Sequence, residues 1–230
     1  MNDHGAALTH RLEPPEALPA AIGPFLPSRT LAHGRLATVF AATHPVSGAD
    51  VAIKLIKPGR AGSATAVARL LAEADHLRTL ASPFVVEFHE LGWHDGRPYL
   101  VMELADGGSL DARLVAGVPS DLWTAARITR WLADALTPIH RRGLVHGDVH
   151  PANLLLTGAG GVVDPAEEPA LLMSHERMLL CDLELLIDTA NPGGRRTRGA
   201  PRYAAPELAD ETVPVTVAAD VHACAAVMWA

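Results

Sequence analysis

His146-Gly-Asp-Val-His-Pro-Ala-Asn153, running directly into Leu154-Leu-Leu156, is the stretch on which the reading of this chain turns. An aspartate five residues before an asparagine, on a loop that enters an apolar strand, can aim two oxygen ligands into one site. In that arrangement Asp148 would accept or orient a hydroxyl proton and Asn153 would hold Mg²⁺. The same residue types also shape ordinary turns. The loop by itself leaves a chemical and a purely structural reading open.

A long segment rich in Gly, Pro and Glu separates Leu154–Leu156 from a second short apolar strand, Met178–Cys181, which ends at Asp182. Upstream, Asp121–Arg142 reads as a long helix capped by Asp121 or Ser120, with Pro138 as a kink site. Earlier still the pattern is β-like from Phe25 to about Ile56. Arg35–Thr43 and Asp50–Ile56 flank a Pro-Val-Ser-Gly turn at 45–48 and predict a hairpin. Val85–Leu91 and Pro98–Leu104 predict two more strands around a Trp-His-Asp-Gly turn at 93–96. Between the hairpins, Ser63–Ala81 has no Gly or Pro and repeats Leu at 70, 77 and 80, a helical spacing. Asp220–Ala230 reads as an apolar helix. Residues 1–24 carry four of the 18 prolines and no periodicity, and are expected to be a flexible leader. Strands with one helix first, then mostly helices, predict an α+β chain in two lobes with a cleft between them.

Composition narrows the function classes. The 230 residues hold 26 acidic and 19 basic side chains, a net charge of −7, which argues against a nucleic-acid partner. Hydrophobic residues are 49% and aromatics only 4%, so an aliphatic core can form. Cys181 and Cys224 lie in apolar runs and read as buried free thiols of a reducing compartment. The N-terminus lacks a signal-peptide pattern, and no uncharged apolar stretch reaches membrane-spanning length. The expected location is therefore cytoplasmic, with no membrane segment in this chain. Of the 19 basic residues only two are lysines, Lys54 and Lys57. A chain that almost always uses arginine has a reason to keep lysine where a compact point charge is needed.

Val51-Ala-Ile-Lys54 ends a strand, Glu73 lies in the next helix, and His146–Asn153, Asp182-Leu-Glu184 and Gly199-Ala-Pro-Arg-Tyr-Ala-Ala-Pro-Glu207 follow. In order and spacing these pieces resemble the eukaryotic-like, bacterial-type serine/threonine protein kinase domain. The resemblance covers roughly residues 25–230. It implies a protein-kinase-like α+β fold, with a β-rich N-lobe over 25–104 and a mostly helical C-lobe over 105–230 that lacks its last helices. The implied activity is transfer of the ATP γ-phosphoryl group to Ser or Thr hydroxyls of a protein substrate, with ATP and Mg²⁺ as cofactors. Lys54, paired with Glu73, would hold the α and β phosphates, and Asp148 would be the catalytic aspartate. Asn153 and Asp182 would hold metal. Val39 and Ala52 would cover the adenine from above and Leu155 from below. Met102 would be the gatekeeper, and the backbones of Glu103 and Ala105 would bond the base. Asp220 resembles the buried aspartate that braces the catalytic loop.

The chain also departs from the pattern. Ala32-His-Gly-Arg-Leu-Ala-Thr-Val39 keeps only Gly34 of the three loop glycines, which restricts backbone approach to phosphate. Gly147 replaces the usual Arg, leaving Thr189 and Thr197 without an evident phosphate pocket. His150 replaces Lys, Ala200 replaces Thr, and Glu184 replaces Gly. Asp164, in a Gly-Val-Val-Asp-Pro run, is the rival to Asp182; preferring Asp182 makes 157–177 a hairpin insertion. His-Gly-Asp-x-His is also similar to the loop of aminoglycoside and choline kinases, so a small-molecule acceptor is the first alternative. A pseudokinase scaffold is the second.

Overall fold

Val-, Ile- and Leu-rich runs in the first half of the chain pair into one antiparallel sheet. The structure, a computed structural model, describes residues 16–80, 82–117, 120–158, 176–190, 200–210 and 212–229. Its first five strands are β1 (Leu26–His33), β2 (Ala37–Thr43), β3 (Asp50–Ile56), β4 (Phe88–His94) and β5 (Arg97–Glu103), in the order β1-β2-β3-β5-β4. The period-2 alternation of β3 sends Val51, Ile53 and Leu55 to one face, where they pack with Ile22, Phe25, Phe40, Tyr99 and Val101. Ala52, Ile56, Leu100 and Met102 face the other way, in one core cluster with Leu70, Ala74, Leu77 and Leu80 of helix α1 (Ala64–Leu80). Ser63 begins that helix, its Oγ accepting from Ala66 N at 3.3 Å.

Local readings shift in places. Val85 and Val86 are buried but lie outside β4. They bridge the lobes instead: Val86 N donates to Leu180 O at 3.0 Å and Leu180 N to Phe84 O at 2.8 Å. Trp93 and His94 belong to β4, and the hairpin turns on Asp95 and Gly96 alone, with φ of 48° and 72°. β1 stands as a separate strand. The end of the segment expected to be a flexible leader is packed: Ile22 is fully buried and Glu16 meets Arg97 at 2.6 Å.

Among the described residues of the second half, helix is the main regular structure. Helices α2 (Leu110–Val115), α3 (Leu122–His140) and α4 (Ala218–Met228) accompany short strands β6 (Leu144–Val145), β7 (Leu154–Thr157), β8 (Arg177–Leu180) and β9 (Ile187–Asp188). Asp121 caps α3 by accepting from Thr124 N at 2.7 Å, and the helix runs through Pro138 to His140. Its buried stripe of Ile128, Leu132, Leu136 and Ile139 joins the core that continues under the sheet. The antiparallel pairs β7–β8 and β6–β9 bring the loop after β6 beside the turn after β8. The helix expected from Asp220 begins two residues earlier. Asp164, Thr197, Gly199, Ala230 and most of the 157–177 insertion lie outside the described residues.

Candidate active site

Lys54 projects from β3 into the space between sheet and helical half, opposite Val39 on one side and Leu100 on the other. Its Nζ lies 2.7 Å from Glu73 Oε2, 2.9 Å from Asp182 Oδ1 and 3.4 Å from Glu184 Oε2. Glu73 reaches it from α1 because residues 66, 70, 73, 77 and 80 form the inward face of that helix. Three carboxylates around one ammonium leave an excess of negative charge, which favours the protonated forms of Lys54 and Glu73. Burial lowers Lys54, but Glu73, Asp182 and Glu184 together outweigh it and raise the ammonium well above its usual range. Burial, with Asp182 and Glu184 adding to it, pushes Glu73 up to about 7 against the pull of Lys54.

The loop 146–153 is fixed from both sides. Asp220, buried on α4, accepts the backbone N–H groups of His146 and Gly147, each at 2.8 Å, and lies 2.7 Å from His140 Nε2. His146 is itself fully buried. Its Nδ1 accepts from Asp148 N at 3.2 Å and its Nε2 lies 3.3 Å from Cys181 O, a pairing that assigns the proton to Nε2. One ring thus links the Asp148 loop to the strand that ends at Asp182. Asp148 Oδ1 accepts from Ala200 N at 3.0 Å and has His150 Nε2 at 3.6 Å. Burial works to raise the Asp148 carboxyl, but His150, the Ala200 N–H and His146 together hold it below the usual range. It is ionised at neutral pH and able to accept a proton or a hydrogen bond.

Asn153 and Asp182 sit at one end of the β7–β8 ladder, joined by Cys181 N donating to Asn153 O at 3.0 Å. The Asn153 amide nitrogen donates to Asp148 O at 3.0 Å, so its amide oxygen is the atom that could coordinate a cation. An amide oxygen and a carboxylate are hard donors that suit Mg²⁺. Asp182 adopts φ +63°, a left-handed conformation that non-glycine residues enter at a cost of about 1–2 kcal/mol, and the following Leu183 is fully buried.

The residues expected around a purine are also brought together. Val39, Ala52, Met102 and Leu155 belong to a single hydrophobic cluster, with Ala52 opposite Met102 across β3 and β5. Glu103 ends β5, its side chain turned to Arg177 at 3.6 Å, and Ala105 beyond it is buried. Gly34 occupies the β1–β2 turn, where a Cβ would come 3.0 Å from Ala37 O. Leu36 and Ala37, beside it, are buried in the same cluster rather than held out from it. Three features had no clear signal in the sequence. The Ala200 contact is made by a backbone N–H, which any residue supplies. His150 stacks on Tyr203 with ring centroids 6.2 Å apart. Glu184 is visible in the sequence, but its place on Lys54 is not. Cys181 and Cys224 are free thiols, and burial pushes both upward.

A family model described as the protein kinase domain matches residues 25–230. CBL-interacting protein kinase 4 of Oryza sativa subsp. japonica is 34% identical over 215 residues, covering 90% of this chain and 44% of the relative. Serine/threonine-protein kinase PkaA of Streptomyces coelicolor is 35% identical over 185 residues, 79% of this chain and 32% of the relative. Serine/threonine-protein kinase PknD of Mycobacterium tuberculosis is 32% identical over 211 residues, 90% of this chain and 29% of the relative. The chain thus spans less than half the length of these relatives.

Proposed function

The chain belongs to the protein kinase domain family, and from that premise we propose that it moves the γ-phosphoryl group of ATP to Ser or Thr hydroxyls of a protein substrate. One observation carries the reading. Lys54 meets Glu73 and Asp182 in one cluster, while the His146 ring ties that cluster's strand to the loop presenting Asp148 and Asn153.

Lys54, held by Glu73, would bind the α and β phosphates as a point charge. Val39, Ala52, Met102 and Leu155 would enclose the base, with the backbones of Glu103 and Ala105 beside it. Asn153 and Asp182 would hold Mg²⁺, which when bound neutralises charge on the phosphates. Asp148, ionised and pinned by Ala200 N, would orient the acceptor hydroxyl and receive its proton. Phosphoryl transfer needs little covalent help from a protein, and positioning with charge neutralisation is what these five polar side chains provide. The named relatives are protein kinases, which favours a protein acceptor over a small alcohol. No described helix is long and apolar enough to cross a membrane.

The acceptor class is tested by offering γ-labelled ATP and Mg²⁺ with a panel of proteins and Ser/Thr peptides beside a panel of amino-sugars and amino-alcohols. Label on Ser or Thr that falls about 10²- to 10⁴-fold in Asp148→Ala supports the proposal. Label only on small alcohols assigns the other acceptor.

A further inference from the structure

The Lys54 ammonium has three N–H donors, and three carboxylates surround it. Glu73 takes the shortest contact at 2.7 Å from a side chain that is 1% exposed, and Asp182 stands at 2.9 Å. Glu184 holds the third place at 3.4 Å, from a side chain that is 17% exposed. It gets there through the chain's local geometry. With Asp182 at φ +63° and Leu183 driven into the core, Asp182 and Glu184 return to the same side and both face Lys54. A glycine at position 184, the residue of the family pattern, would leave that third place open. With all four groups ionised the cluster carries a net charge of −2, three carboxylates against one ammonium, and a phosphate approaching Lys54 meets that surplus.

We propose that Glu184 competes with nucleotide phosphate for Lys54. Its carboxylate occupies the donor that a phosphate oxygen would use, so nucleotide binds only by displacing it. Glu184 is the carboxylate that yields. Glu73 is enclosed by α1, and Asp182 is the side chain placed to take metal. Glu184 has the longest of the three contacts with Lys54. The protein is thereby set to bind nucleotide more weakly than the rest of its site would allow. This inference rests on reading the cleft as a nucleotide site.

The test is isothermal titration of the whole chain with Mg·ADP, comparing wild type with Glu184→Gln and Glu184→Gly. Thermal unfolding of each protein confirms that it is folded. Glu184→Gln keeps the shape and removes the charge; Glu184→Gly also opens the space. Both are expected to bind about tenfold more tightly than wild type, the effect of freeing one charge-assisted hydrogen bond. Metal-free ADP should show the same order of affinities. Equal affinities in all three proteins overturn the competition while leaving the nucleotide site intact. Weaker Mg·ADP binding by the variants, with metal-free ADP unchanged, also overturns it and makes Glu184 a metal ligand. No binding by any of the three removes the nucleotide reading and this inference together.

Discussion

Asp220 on α4 accepts the backbone N–H of His146, 74 residues earlier in the chain, at 2.8 Å, and both groups are buried. The contact fixes the start of the loop that carries Asp148 and Asn153, and the adjacent Gly147 N–H joins it at the other carboxylate oxygen. Asp220→Ala would leave two buried N–H groups and the His140 ring nitrogen without this acceptor. A loss of about 3 kcal/mol is expected by urea unfolding. Asp220→Asn keeps one acceptor oxygen and should lose less. Equal, negligible losses in both variants would show that the brace is not structural.

Gly147 stands where the family pattern has arginine, and restoring that residue should harm the protein. Gly147 has φ +76°, and a Cβ there would meet Ile187 Cδ1 at 3.1 Å. Gly147→Arg is therefore expected to cost about 1–2 kcal/mol of stability in the same unfolding measurement. A stabilised variant would contradict the backbone assignment.

Much of this is legible in the sequence, for reasons that differ by element. Lys54, Glu73, Asp148, Asn153 and Asp182 stood out as candidates because their types and order resemble the kinase pattern, and the structure brings Lys54, Glu73 and Asp182 into contact and Asn153 against the Asp148 backbone. The β2–β3 hairpin was readable from its Pro/Gly turn and alternating apolar residues. β1 was harder, since its residues are all partly or largely exposed and give no two-faced alternation. Val85 and Val86 look like strand residues because they are apolar, yet their burial comes from joining the lobes. β6 and β9, two residues each, are too short to show a period. α2 had only its Ser109 cap as a signal, donating partner Ala112 N at 3.2 Å. At the site, contacts made by backbone groups, such as Ala200 N to Asp148, leave no trace in residue type.

Glu73 gives a pH signature. Burial lifts its carboxyl from an ordinary 4.5 to about 7. Between those values the folded protein holds a proton that the unfolded chain has released. Its contribution to stability is therefore full below pH 4.5 and lost as pH rises through 7. Glu73→Gln cannot titrate. The Tm of wild type minus that of Glu73→Gln is expected to fall steadily from about pH 5 to pH 8 in thermal unfolding scans. A difference that is flat or rises over that range would contradict the charge balance assigned to the Lys54 cluster.

The claim that the Lys54 cluster supports phosphoryl transfer is tested most directly by following γ-labelled ATP into protein Ser and Thr residues with wild type and Lys54→Met, both checked for folding. Measurable transfer by wild type and a fall of at least about 100-fold in Lys54→Met are expected, since the point charge that positions the phosphates is gone. Transfer by Lys54→Met at the wild-type rate would contradict that claim.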